Sequence, residues 1–474
     1  MSIAKNTTFM TLASIMQKVV AFVYFTIIAR HIGAEETGKY FFALSFTTVF
    51  VIFIDLGFTN VLIREVSRVK EKIQEYFSTV LAFKMILGIL IYGICVSFIY
   101  FLGYETDVAH LVYLSAVTML FDTLHLTVYG TMRSLGNLKY EAIGIVGSQT
   151  LTLILGTTFL LLHFSLIWLI AAFTIPSFCN LLYASFILYK KFHITFRPQF
   201  SKKTFMYLGK IAIPFALSAV FARLYSYMDT LLLKEFAGNT AVGWYSIPYK
   251  ITFAFQFIPL ALLAAMYPKF SEYFIHDRKK LVSVFEQSIK YLLIVAFPIA
   301  IGIAILAQDI ILTVYTKEYM PSILPLRILI ISLVFSYLSF PLSSFLNACN
   351  RQVTQTWIIG SVTLINILLN LFFIPKFGAT GAALAAFTGN FLLAFLGFLF
   401  VPQIITLSKN FLFLNISKIF FSAAVMGGVV WLANQYVHFL LAIVVGVVVY
   451  PLCLLATNTV NKSQIKNLIL LIRS

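Results

Sequence analysis

Gly33-Ala-Glu-Glu-Thr-Gly38-Lys39-Tyr40 and Gly238-Asn-Thr-Ala-Val-Gly243-Trp244-Tyr245 carry both glycines and the tyrosine at the same offset, 205 residues apart. A second block repeats as well. Asn137, Ile145, Gly147, Ser148 and Thr150 match Asn350, Ile358, Gly360, Ser361 and Thr363 at an offset of 213. Two copies of one unit in strongly apolar sequence predict two lobes enclosing a site at their interface.

With 61% hydrophobic and only 11% charged residues, the chain has more apolar surface than a soluble core can hide. The expected fold is an all-α polytopic membrane protein. About fourteen apolar runs suit a hydrocarbon core of roughly 30 Å, at about 20 residues each. They fall near 8–30, 40–63, 78–103, 110–131, 141–162, 164–188, 209–233, 243–266, 286–307, 321–346, 354–374, 380–402, 417–435 and 439–457. The organisation read from them is an N-terminal lobe of six spans over 1–188, a basic linker over 189–208, a C-terminal lobe of six spans over 209–402, and a last pair with a basic tail over 403–474. Six spans per lobe is an even number, so the repeats are parallel, related by an axis along the membrane normal.

The formal charge of +17 sorts by side. With both termini inside, cytoplasmic segments hold 23 of the 34 Lys and Arg, external loops five and the spans six; acids divide seven, seven and three. That asymmetry is the positive-inside rule. It predicts a plasma (inner) membrane protein with both termini cytoplasmic, and it directs the basic linker (Lys190, Lys191, Arg197, Lys202, Lys203, Lys210) to anionic lipid and not to nucleic acid. The apolar N-terminus lacks a small-x-small cleavage site and reads as a retained helix. Cys95, Cys179, Cys349 and Cys453 are dispersed, with no metal spacing.

Gly33 to Tyr40 comes close to a phosphate-binding loop, but Tyr40 replaces the magnesium-binding hydroxyl residue, no strand precedes it, and the second copy has Trp244 in place of the lysine. What persists is a glycine spacing suited to a tight turn between helices. Paired carboxylates with following histidines and His-x-x-Glu-His are absent from the sequence. The reading is therefore of a non-enzyme, with no cofactor and no metal.

Ionisable residues at membrane depth cost about 2.5–3.5 kcal/mol each on insertion scales, so each is a candidate with a partner to be named. Lys18 and Asp55 are expected at similar depth, as an ion pair or as ligand contacts. Asp229 and Lys250 pair in the same sense in the second repeat. Arg223, deeper than these two and with no obvious neighbouring acid, is the foremost anion contact, since its planar fork grips phosphate oxygens at two points. Lys84 and Lys290 occupy matching places near the cytoplasmic entrance and are expected to snorkel to the headgroups. Asp122 and His125, one turn apart, make either a proton relay for coupling or a partner for Lys84, and the partner role is preferred. Prolines 214, 248, 259, 298 and 341 concentrate in the second lobe, where bending would permit gating.

Ala29-Arg30-His31-Ile32-Gly33 with Gly38 and Tyr40, Asp55-Leu56-Gly57 running to Ile63-Arg64-Glu65, Asp229, and Gly243-Trp244-Tyr245 resemble the polysaccharide flippase family, within the exporter superfamily that also holds multidrug exporters and the peptidoglycan lipid flippase. The resemblance covers the first twelve spans. It implies a V-shaped two-lobe transporter moving undecaprenyl-pyrophosphate-linked oligosaccharide to the outer leaflet, in the company of a polysaccharide polymerase and glycosyltransferases. The Arg-Asp pair of the peptidoglycan branch appears here as Tyr24-Phe25, which favours oligosaccharide repeat units.

The residues agree on the sign of the cargo. Six bases against three acids within the spans attract a pyrophosphate and repel organic cations. Lys18, Arg223 and Lys250 are expected to contact the pyrophosphate, with Asp55 and Asp229 as supporting acids and alternating access as the transport step. The rival reading is a proton- or sodium-coupled multidrug or metabolite antiporter, which needs unpartnered acids. A third, a lipid-binding scaffold of a cell-wall complex, leaves the buried bases unexplained.

Overall fold

The computed structural model describes residues 3–459, and it is helical almost throughout. Most of the basic tail expected at the C-terminus lies outside the described residues. The chain forms two compact units, Met1–Ser246 and Ile247–Ser474. The first holds α1 (Ile3–Asp55), α2 (Phe58–Arg68), α3 (Ile73–Phe101), α4 (Thr106–Ser134), α5 (Lys139–Leu161), α6 (Leu166–Phe192) and most of α7 (Lys202–Ala254). The second holds the end of α7 and then α8 (Phe257–His276), α9 (Arg278–Val314), α10 (Ile323–Ala348), α11 (Gln352–Phe377), α12 (Ala379–Phe400), α13 (Lys409–Asn434) and α14 (Phe439–Ala456).

α1 has 53 residues, which at 1.5 Å per residue is about 80 Å, far more than one crossing of a roughly 30 Å core. A single residue divides it. Gly33 has φ 80° and ψ 176°, a conformation essentially closed to residues with a side chain. α7, also 53 residues long, breaks in the same way at Gly238 (φ 81°, ψ −179°). The tight turn expected between the spans is a single glycine in each copy, with helix running on both sides of it. Among the described residues twelve helices are long and apolar enough to cross a membrane, and counting the two broken ones as two crossings apiece gives about fourteen. Isoleucines 86 and 89 on α3 and valines 444, 447 and 448 on α14 are exposed, the composition of lipid-facing surface, and the protein is a multi-pass membrane protein.

The second glycine of each copy has a different use. A Cβ on Gly38 would lie 1.8 Å from the Asn239 carbonyl oxygen, and one on Gly243 would lie 1.9 Å from the Ala34 carbonyl oxygen. The two broken helices therefore cross backbone to backbone, each glycine receiving the residue that follows the other's break.

At the far end of the first unit, α1 stops at Leu56 (φ 43°) and Gly57 (φ 77°), and the short α2 follows. Its buried Phe58, Val61, Leu62 and Val66 fall on one face. They join Phe77, Val80 and Leu208 in a core that also takes in Ile194 of the inter-repeat segment. That segment is tied down: Gln74 bonds the Thr195 carbonyl and amide at 3.0 and 2.9 Å, and the Tyr207 hydroxyl donates to Glu65 at 2.6 Å. In the second unit Phe285 packs on Phe345 with ring centroids 4.4 Å apart, and the Tyr450 hydroxyl of α14 donates to the Ile294 carbonyl of α9 at 2.7 Å.

Candidate functional site

The breaks at Gly33 and Gly238 set a depth scale, because residues equally far along the chain from a break lie equally far from that end of the hairpin. Lys18 precedes Gly33 by 15 residues and Arg223 precedes Gly238 by 15, placing both about 22 Å from the turn. The two bases occupy equivalent positions in the two repeats and both are half-buried. Arg223 makes no hydrogen bond or ion pair with described residues. A guanidinium in that position costs about 2.5–3.5 kcal/mol on insertion scales.

The same scale explains Asp229. It precedes Gly238 by nine residues and Tyr245 follows by seven, so the two face each other, and the tyrosine hydroxyl donates to Asp229 Oδ2 at 2.9 Å with both side chains buried. Tyr24 and Tyr40 hold the corresponding places around Gly33 and both pack on Phe173, at 5.6 and 6.3 Å. Lys250 and Lys290 belong to the second unit, each half-buried.

Three expectations require correction. Lys18 is not the counter-ion of Asp55. Asp55 lies 22 residues beyond Gly33, about 10 Å deeper than Lys18 on the hairpin scale, and its carboxylate is engaged elsewhere. Lys84 Nζ is 2.5 Å from Oδ1, the Gly57 amide donates to Oδ2 at 3.1 Å, and the Thr59 hydroxyl donates to Oδ1. Lys84 for its part does not snorkel. It is 1% exposed and also donates to the Thr59 and Thr127 hydroxyls at 2.6 and 2.8 Å. The broken end of α1 leaves a carboxylate aimed inward, and a buried lysine needs one.

Asp122 is consequently not the partner of Lys84. Its Oδ1 accepts from the Ser177 hydroxyl of α6 and lies 3.7 Å from His125 Nδ1. Thus the structure brings together Asp55 with Lys84, and Asp122 with His125.

Sequence reasoning missed Arg133 and Glu141, which join the end of α4 to the start of α5. Arg133 grips Glu141 at both carboxylate oxygens, Nε at 2.6 Å from Oε2, and Glu141 is buried. Their eight-residue spacing across a predicted turn was the available clue. Also missed was a polar cluster at the Gly33 end. Glu105 lies 3.8 Å from Lys234 and accepts from Asn239 at 3.4 Å, while the Tyr104 hydroxyl donates to Glu235 at 3.0 Å.

Comparison with known proteins agrees with this architecture. The profile of the family described as polysaccharide biosynthesis protein matches residues 3–274, and the MatE profile matches residues 214–372. A probable low-salt glycan biosynthesis flippase of Haloferax volcanii is 23% identical over 100% of both chains. A capsular polysaccharide biosynthesis protein of Staphylococcus aureus is 25% identical over 82% of this chain and 96% of its own. Among solved structures, a lipid II flippase in an inward closed conformation superposes with a TM-score of 0.78 at 18% identity, covering 94% of this chain and 97% of that one, a likeness of fold. With one profile spanning more than half of its length, this multi-pass membrane transporter belongs to the polysaccharide biosynthesis protein family.

Proposed function

We propose that the protein is a flippase that carries undecaprenyl-pyrophosphate-linked oligosaccharide from the cytoplasmic to the outer leaflet of the plasma membrane by alternating access. The observation that carries this reading is Arg223, a guanidinium about 22 Å from the turn with no partner among the described residues. Such a group calls for an anion, and the names of the relatives supply a glycan as the cargo that bears it.

In this reading Arg223 and Lys18 hold the pyrophosphate at matching depth, Arg223 by two parallel N–H bonds and Lys18 as a point charge. Lys250 is the third base. Asp55 holds Lys84 and fixes the end of α1, while Asp229, oriented by Tyr245, shapes the field around the cargo. Lys290 belongs to the cytoplasmic entrance. Both termini and the inter-repeat segment face the cytoplasm, where most of the basic residues lie. Outward movement of the anion runs with a potential that is negative inside, worth about 2.3 kcal/mol per charge per 100 mV. Polymerase and glycosyltransferases of the same glycan are the proposed partners.

The MatE match over residues 214–372 favours a second reading, an ion-coupled antiporter of multidrug or metabolite type. One experiment separates them. In cells lacking their own flippase, this protein restores surface glycan and Arg223→Ala at equal expression does not. Drug resistance without restored glycan establishes the antiporter instead.

A further inference from the structure

α4 and α6 meet along a line of polar side chains. The Thr118 and Thr174 hydroxyls are 2.7 Å apart, Ser177 donates to Asp122, and the Tyr129 hydroxyl donates to Asn180 Oδ1 at 2.6 Å. Below these rungs Arg133 holds Glu141 of α5. From Thr118 to Arg133 is 15 residues, about 22 Å along the helix and roughly three-quarters of a hydrocarbon core. Packing alone needs no such ionisable groups, since helices in lipid associate through small residues and hydroxyls.

His125 lies between the second and third rungs. Its side chain is 13% exposed, its Nδ1 is 3.7 Å from Asp122 Oδ1 and finds no hydrogen-bond partner among the described residues, and its ring meets Tyr129 edge-on at 5.7 Å. Asp122, by contrast, is 47% exposed, which at mid-helix means water and not lipid for a carboxylate. The other charged groups packed around α4 are spent: Glu141 is neutralised by Arg133, and Lys84 of α3 by Asp55 of α1. Tyr183 of α6 and Tyr129 carry no charge at neutral pH.

We infer that Asp122 and His125 form a proton-binding pair within the α4–α6 seam, Asp122 facing water and His125 holding the proton behind it. The chemistry is one step: His125 Nδ1 takes a proton from water, an N–H bond forms as the O–H bond of the donor breaks, and the hydroxide left behind is neutralised by the solvent. The imidazolium then faces the Asp122 carboxylate, whose charge the neutral ring does not balance. Ser177 is a positioning residue that fixes the carboxylate. That this proton drives cargo movement rests on the flippase reading; the proton site itself does not.

The test is histidine-labelled NMR of the full chain in lipid nanodiscs. The resonance missing in His125→Gln should titrate in the wild type, and Asp122→Asn should move its midpoint down by about one unit or more. Asp122→Ser, smaller and still able to bond Ser177, should move it the same way if the Asn variant does not fold. A resonance that does not titrate, or a midpoint indifferent to Asp122, overturns the proposal. A pH-sensitive dye sealed in vesicles reads the coupling. Wild type with lipid-linked oligosaccharide acidifies or alkalises the lumen, and His125→Gln does not. Titration without any cargo movement sinks the flippase reading and leaves the proton site standing; cargo movement without titration does the reverse.

Discussion

Lys84 Nζ lies 2.5 Å from Asp55 Oδ1 at the residue where α1 ends, with the lysine closed off from solvent. The pair joins α3 to the broken end of α1, and each member is tolerable at that depth only because of the other. Lys84→Met therefore strands a carboxylate, and thermal unfolding in detergent should show a loss of about 3–5 kcal/mol. Adding Asp55→Asn removes the stranded charge and should recover most of that loss. Additive losses in the double variant would contradict the pairing.

The reciprocal glycine crossing is equally open to test. Gly38→Ala sets a Cβ against the Asn239 backbone, and Gly243→Ala sets one against Ala34, so each should cost about 1–3 kcal/mol through forced separation of the two helices. Gly93, where an added methyl would meet no atom within 4 Å, is the control: Gly93→Ala should be neutral or stabilising by about 0.5–1 kcal/mol.

Tyr245→Phe deletes the donor to a buried carboxylate. Hydrogen bonds to charged groups contribute about 1.5–3 kcal/mol, and a loss in that range is expected by thermal unfolding. Unchanged stability would show that Asp229 is held by other groups.

The start of α9 should respond to acid. Asp277 accepts from the Lys280 amide at 3.0 Å as an N-cap, and this bond, with the Lys280 ammonium at 3.4 Å, holds its carboxyl below the ordinary 3.8. A depressed value means that the stabilisation is present above pH 3.8 and is lost as pH falls through the lower, folded value. Hydrogen exchange at residues 278–281 should accelerate only below about pH 4, and Asp277→Ala should show the fast exchange at every pH.

Much of this was legible in the sequence. The paired glycine phrases disclosed both hairpins, because only glycine relieves the backbone at such a break, and they disclosed the equivalence of the two repeats. Arg223 was legible as a base lying deeper than Asp229 and Lys250. Lys84 and Asp55 were not, since pairing across helices depends on depth, and hydrophobic runs fix the ends of a span only to within several residues. The α4–α6 seam escaped for a related reason: Ser, Thr and Asn at helical spacing look like ordinary small packing residues until a second helix supplies their partners.

The most direct test is transport by the purified protein in sealed vesicles, scored by enzymatic access to undecaprenyl-pyrophosphate-linked oligosaccharide on the far leaflet. Wild type should move the lipid, Arg223→Lys should retain part of the rate, and Arg223→Ala should fall about ten- to a hundredfold, the worth of the charge-assisted bonds removed. Undiminished transport by Arg223→Ala would contradict the account.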